Sequence, residues 1–141
     1  MSKRKHIARY WLMSSVFFAF IPFIIVALAG LVDGSGVNIE RAIGEGELVL
    51  VAFLITVPSL VSNYRSKKDS SSPNSREKGE RLYFVLLPLT IVQLSAYIII
   101  RMSEQVSLVS VYAISAMSVA LSLFVSWGNE KYLQEVENEH N

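Results

Sequence analysis

The sequence predicts an all-α integral membrane protein, a four-helix bundle with both termini on the cytoplasmic side. Three observations carry that expectation. Of 141 residues, 52% are hydrophobic and only 18% charged, too apolar for a soluble chain of single-domain length. The apolar residues are gathered into four uncharged runs, 10–32, 48–64, 82–100 and 105–129, each reaching the roughly 17 residues that a helix needs to cross hydrocarbon. The basic residues are unevenly shared between the ends of these runs. Eleven of the thirteen Lys and Arg fall in the amino-terminal segment, the middle connection and the tail, and only Arg41 and Arg101 on the other side. Cytoplasmic segments collect Lys and Arg, which orients the chain. Spans are expected at about 10–32, 47–64, 82–101 and 106–127, in one transmembrane domain covering 1–141.

The first span follows a basic start, Lys3-Arg4-Lys5, with Tyr10-Trp11 at the interface. Ala27-Leu28-Ala29 resembles a leader cleavage site, but the apolar run far exceeds the about 7–15 residues of a leader. It reads as a retained span. Phe17, Phe18, Phe20 and Phe23 suit a lipid-facing helix, and Pro22 removes a backbone donor and is expected to kink it. The connection 33–47 carries Gly34, Gly36, Gly44 and Gly46. Its Asp33-Gly-Ser-Gly-Val-Asn has Asn38 where a calcium loop requires glycine, so calcium is not expected. Asn38 instead suits the cap of a short interfacial helix ending at Gly44.

In the second span, Ala52, Thr56, Ser59 and Asn63 recur at intervals of four, three and four, which stacks them on one helical face. Glu45 joins that face if the helix begins that early. The middle connection, 65–81, sets Arg65, Lys67, Lys68, Arg76, Lys78 and Arg81 against Asp69, Glu77 and Glu80, and its centre, 69–75, has linker composition. In the third span Tyr83, Thr90, Gln93, Tyr97 and Arg101 share one side. A tight turn at 101–104 then makes an antiparallel hairpin with the fourth. That last span has Ser107, Ser115, Ser118, Ser122 and Ser126 on one side and Ala113, Ala116 and Ala120 on another, as close packing in membranes favours. Trp127 marks its interface. Beyond it lies an acidic tail, 129–141, where Asn129 is expected to cap a short helix carrying Tyr132, Leu133 and Val136.

No catalytic set is visible. There is no cysteine, and the two histidines, His6 and His140, stand near the ends, so neither an enzyme nor a metal or cofactor site is expected. Coupled transporters usually bury a titratable group in a span. Small multidrug transporters carry a glutamate in their first helix, where this chain is uncharged. A channel needs only carboxylates at a mouth and hydroxyls or amides within, supplied by several subunits around one axis. Thr56, Ser59 and Asn63 are the expected lining, Glu47 the outer entrance, and Gln93 the rival on the third span. One four-helix protomer is too small to enclose such a path, so a homo-oligomer is implied. The six basic residues from Arg65 to Arg81 set topology and meet anionic lipid headgroups, or receive the phosphates of a nucleotide or oligonucleotide. Duplex nucleic acid is not an expected partner.

Gly46-Glu47-Leu48-Val49-Leu50-Val51-Ala52, opening a proline-containing span after a flexible loop, resembles the Gly-Glu-Leu element of small bacterial four-span proteins. Among these are effectors of anti-phage signalling, including the membrane effector of Hailong-type defence. The resemblance covers that junction and its span only. It implies a self-associating ion channel of the inner membrane, a tetramer, closed at rest and opened by a nucleotide-derived messenger to depolarise an infected cell. A small transporter and a non-conducting accessory subunit are the alternatives.

Overall fold

The computed structural model describes residues 13, 16–32, 34–70, 72–103 and 105–139, and the regular structure among them is entirely helical. Its helices are α1 (Ile21–Val32), α2 (Ile39–Gly44), α3 (Glu47–Asp69), α4 (Pro73–Met102) and α5 (Leu108–Glu139). α3, α4 and α5 are long and apolar enough to cross a membrane, and α1 is a shorter apolar helix. The basic start, Tyr10, Trp11, Ser14, Ser15, Asp33 and both histidines lie outside the described residues.

A helical turn at 16–19 precedes α1, and Phe20 interrupts the two. Pro22 has no N–H for the carbonyl four residues back. Upstream of it, Phe20 N–H is shared between the Val16 and Phe17 carbonyls at 3.3 and 3.2 Å. The helical assignment is broken at Phe20, two residues before Pro22. Only part of this segment points outward. Phe17 and Phe18 are exposed, whereas Phe20 and Phe23 pack with Val16 and Leu54 around the buried Ala19, Val51 and Ile55.

The glycine-rich connection folds back on α1, with Ser35 and Gly36 N–H on the Gly30 carbonyl and Asn38 N–H on that of Ala27. Asn38 caps α2 as expected, its side chain accepting from Arg41 N–H at 2.9 Å. Gly46, at φ 83°, turns the chain into α3, in a conformation that only glycine adopts without strain.

Hydrogen bonds fix the helix directions. Thr56, Ser59 and Asn63 on α3 meet Ser122, Ser126 and Asn129 on α5 in the same order, so these two run parallel. Gln93 of α4 meets Ser122 and Lys78 meets Glu135, so α4 runs antiparallel to both. α3 is the inner helix: 44% of its most apolar stretch is buried, against 17% for α4 and for α5. The others wrap it.

Two expectations need correction. The middle connection is not a long linker. α3 continues to Asp69 and α4 begins at Pro73, leaving Ser70 to Ser72 between them. Proline at the first helical position is pre-organised by its fixed φ, so Pro73 starts a helix where composition suggested flexible chain. Asn129, likewise, caps nothing. It lies inside α5, which runs unbroken through Trp127 to Glu139.

The helices consequently extend past the apolar spans and pack on one another there. Tyr132 is wholly buried over Gly79, and Val136 is buried beside it on the same face. Ser75 hydrogen-bonds Glu139, and Lys78 pairs with Glu135 at 2.6 Å.

Candidate functional site

Where α3, α4 and α5 meet, their inward faces are polar. Thr56, Ser59 and Asn63 from α3, Gln93 from α4, and Ser115, Ser118, Ser122, Ser126 and Asn129 from α5 are all buried. Spacing explains how two helices keep matching polar faces. Thr56, Ser59 and Asn63 fall at intervals of three and four, Ser122, Ser126 and Asn129 at four and three. Both sets repeat after seven residues, the interval that holds one seam between wound helices.

The contacts form rungs. Thr56 and Ser122 hydroxyls lie 2.9 Å apart and 2.8 and 3.0 Å from the Ala52 carbonyl, so that with one proton each, one hydroxyl donates to the other and the other to the carbonyl. One turn on, Ser59 donates to Ser126 at 2.9 Å. At the end of the row, Asn63 donates its amide to Asn129 Oδ1 at 2.9 Å, and Asn129 donates to the Ser59 carbonyl at 3.1 Å and to Ser62 Oγ at 3.3 Å. Gln93 reaches in from α4, its amide 2.7 Å from Ser122 Oγ and 3.5 Å from the Ser118 carbonyl. The two helices that compete as the polar lining thus share one seam, and Thr56 and Gln93 both end on Ser122. In membranes an interhelical bond of this kind contributes about 0.6 kcal/mol on average.

The carboxylate end is an ion-pair cluster. Glu47 opens α3 and is 2% exposed, with Arg101 of α4 at 3.3 Å. Arg101 also reaches Glu45 at 3.1 Å, and Arg41 holds the other oxygen of Glu45 at 2.8 Å. The Arg41 hydrogen bond keeps the Glu45 carboxyl below the ordinary carboxylate range; the charges of Arg41 and Arg101 add to it, and desolvation opposes it. Glu45 precedes α3 and is no part of the seam. Glu47, Thr56, Ser59, Asn63 and Gln93 are therefore gathered along one bundle axis, all in protein contacts.

The six basic residues are not gathered in the same way. Lys67 and Arg76 lie 3.3 and 3.7 Å from Glu80, Lys78 pairs with Glu135, and Arg81 pairs with Glu77 at 2.6 Å. Among the described residues no carboxylate is paired with Arg65 or Lys68; Lys68 instead sits over the Tyr64 ring at 4.8 Å. Lysines repeat this arrangement at Tyr83 and Trp127. The three aromatics form a belt of amphipathic rings with a cation beyond each, as membrane interfaces favour.

Sequence reasoning placed Ser115 to Ser126 in a packing face and missed Asn129 and Arg101 as site residues. The signal for Asn129 was its place seven residues beyond Ser122, matching Thr56 and Asn63. The expectation that a new helix starts there hid it.

Fold and site together define an α-helical membrane protein built on three helices of spanning length with a polar seam between them. No protein-family model matches the chain, and no curated protein or solved structure matches it.

Proposed function

We propose that the chain is a four-span protein of the inner membrane, with both termini cytoplasmic, that self-associates into an ion channel or membrane-disrupting effector and conducts when the polar seam parts. The observation that carries this reading is the buried row from Thr56 to Asn63 and from Ser115 to Asn129. Close helix packing needs only small side chains, and alanine would serve at each serine without burying a polar group. Buried polarity in a span is expensive and usually marks a pathway. Residues 47 to 63 extend about 24 Å along a helix axis, most of a bilayer's apolar thickness.

In this conformation Thr56, Ser59, Asn63 and Gln93 each hydrogen-bond to α5, which closes the seam between the helices. Conduction requires α3 and α5 to separate, or to exchange these bonds for water and ions. The Glu47–Arg101–Glu45 cluster stands at the outer end. Arg65 and Lys68 at the inner end are the cations best placed for an anionic messenger or a lipid phosphate. The resemblance of the Gly46–Ala52 segment to Hailong-type effectors favours the messenger.

The second reading is a non-conducting accessory subunit. It is favoured by the pairing of Thr56, Ser59 and Asn63 within one protomer, which is also what a static packing zipper requires.

Ion flux into liposomes separates the two. A Thr56→Val change removes the hydroxyl at nearly constant volume, and Asn63→Leu removes the amide. Either should abolish flux while oligomer size and expression persist. Flux unaltered by both changes would place the path elsewhere, and silent wild-type protein would leave the accessory reading.

A further inference from the structure

Where α3 ends and α4 begins, cations outnumber carboxylates. Six basic residues between Arg65 and Arg81 stand with Asp69, Glu77 and Glu80, and α5 adds Glu135, which takes Lys78. Arg81 is matched by Glu77 on its own helix. The excess falls on the α3–α4 boundary. There Lys67 of α3 and Arg76 of α4 reach the same oxygen of Glu80, at 3.3 and 3.7 Å. Two cations share one carboxylate, so the trio keeps a net positive charge. Their separation cannot exceed the sum of those two distances, about 7 Å. Two oxygens of one phosphate can accept from both at charge-assisted hydrogen-bond lengths.

An aromatic strip adjoins the charges. Lys67 Nζ lies 5.6 Å from the centre of the Tyr83 ring and Lys68 Nζ 4.8 Å from that of Tyr64. The two tyrosine rings meet across the boundary at 6.2 Å, and Tyr83 meets Phe84 at 6.4 Å. Helical spacing orders these groups. On α4, Arg76, Glu80, Tyr83 and Leu87 recur at four, three and four residues, and on α3, Val61, Tyr64 and Lys68 at three and four, so each set shares one face. The helices are antiparallel, and both sets run from charge to tyrosine to aliphatic side chain toward the spans. Val61, Tyr64, Phe84 and Leu87 are exposed.

That order selects the partner. A soluble anion would meet the cations and leave the rings and aliphatic groups bare. A phospholipid presents phosphate, then glycerol, then acyl chain, in the same sequence. Its phosphodiester carries a single negative charge, which offsets the net charge of Lys67, Arg76 and Glu80. A zwitterionic headgroup brings its own ammonium and cancels that attraction, whereas anionic lipids draw basic segments to the surface.

We propose that Lys67 and Arg76, with Tyr64 and Tyr83 on the span side of them, form a headgroup site for one anionic phospholipid across the α3–α4 boundary. The site requires the chain to sit in a bilayer and does not depend on conduction.

The test is thermal unfolding of the purified full-length chain in non-ionic detergent, titrated with dioleoylphosphatidylglycerol or dioleoylphosphatidylcholine at equal lipid-to-detergent ratios. The anionic lipid should give a saturable rise in midpoint that the zwitterionic lipid does not. Lys67→Gln and Arg76→Gln should each raise the half-saturating ratio about fivefold, the effect of one cation near an anionic surface. Glu80→Gln should lower it about fivefold, because the phosphate no longer competes with a carboxylate for the two cations. A merely structural ion pair would not tighten lipid binding when broken. Arg81→Gln removes the same formal charge from a cation held by Glu77 and should change the ratio little. Equal midpoints in the two lipids would overturn the proposal. Equal shifts from Arg76→Gln and Arg81→Gln would overturn it too, leaving only general surface attraction. Saturable stabilisation by inorganic phosphate or adenosine monophosphate without lipid, lost in Arg76→Gln, would assign the cations to a soluble phosphate instead. If the Lys67 and Arg76 variants do not fold, Glu80→Gln decides, and an unchanged or raised half-saturating ratio overturns the site.

Discussion

Replacing Gly79 with alanine probes the contact that holds α4 and α5 together beyond the apolar spans. A methyl carbon at Gly79 would sit 2.7 Å from Tyr132 Cζ and 3.3 Å from Cε1. Carbon atoms settle at about 3.5–4.0 Å, so the helices must part by about 1 Å or Tyr132 must leave its buried place. Overpacking of this kind costs about 1–3 kcal/mol. Alanine also favours a helix interior over glycine by about 0.8–1.0 kcal/mol, so the net effect runs from nearly zero to about 2 kcal/mol of destabilisation. Gly128 supplies the control. A methyl there meets only Leu82 Cδ2 at 3.8 Å, an ordinary contact, so Gly128→Ala should keep the whole helix-propensity gain and stabilise by about 1 kcal/mol. Both are glycines inside long helices, and the difference between the two variants isolates the clash. Equilibrium unfolding in mixed micelles reads it. Tyr132→Ala should relieve the clash, so that adding Gly79→Ala to it becomes stabilising, a non-additivity expected of residues in contact. Equal stabilisation by Gly79→Ala and Gly128→Ala in the wild-type background would refute the close approach.

Three further outcomes follow from the charged ends. Reporters fused after Asn141 and inserted at Ser71 should both lie in the cytoplasm, as the Lys and Arg imbalance requires; external labelling of either would reverse the assignment of the ends. If a single-stranded oligonucleotide binds the basic surface, Arg65→Ala and Lys68→Ala should each reduce the log–log salt slope by about 0.7. Lys78→Ala, whose cation is already paired with Glu135, should change it less, and equal effects would refute that ranking. Because the Glu45 carboxyl lies below its ordinary value, its contribution to stability is present above that value and is lost as pH falls through the lowered one. Unfolding profiles of wild type and Glu45→Gln should therefore converge in acid and separate toward neutrality; superimposable profiles would show that Arg41 and Arg101 do not act through this charge.

Much of the architecture is written in local pattern. Apolar runs forecast the positions of α3, α4 and α5 because bilayer thickness sets a length that few soluble helices need. Asn38 is legible as a cap because its side chain satisfies a donor three residues away. The stripe on α3 is visible as periodicity, but its partner is not. Nothing local pairs Thr56 with Ser122, or brings Gln93 to the same hydroxyl, since tertiary register alone decides which helices face. Composition misleads at Pro73, where serine-rich sequence reads as linker and proline at a helix start reads the same way as proline in a loop. It misleads again at Asn129, a good cap residue by type that is held inside α5 by bonds to Asn63, Ser59 and Ser62. The basic residues of 65–81 look like one anion site along the chain. Folding spends four of them on Glu77, Glu80 and Glu135.

On the proposed function, the seam is a water-accessible ion path when the protein conducts. The chain contains no cysteine, so single cysteines report cleanly. Ser122→Cys lies in the seam, and Ala120→Cys lies two residues away on the exposed side of the same helix. Under conducting conditions in liposomes, a small cationic, membrane-impermeant thiol reagent should modify Ser122→Cys and block flux, while Ala120→Cys stays unmodified among lipid tails. Flux that continues while Ser122→Cys remains inert to the reagent would place the ion path outside the seam.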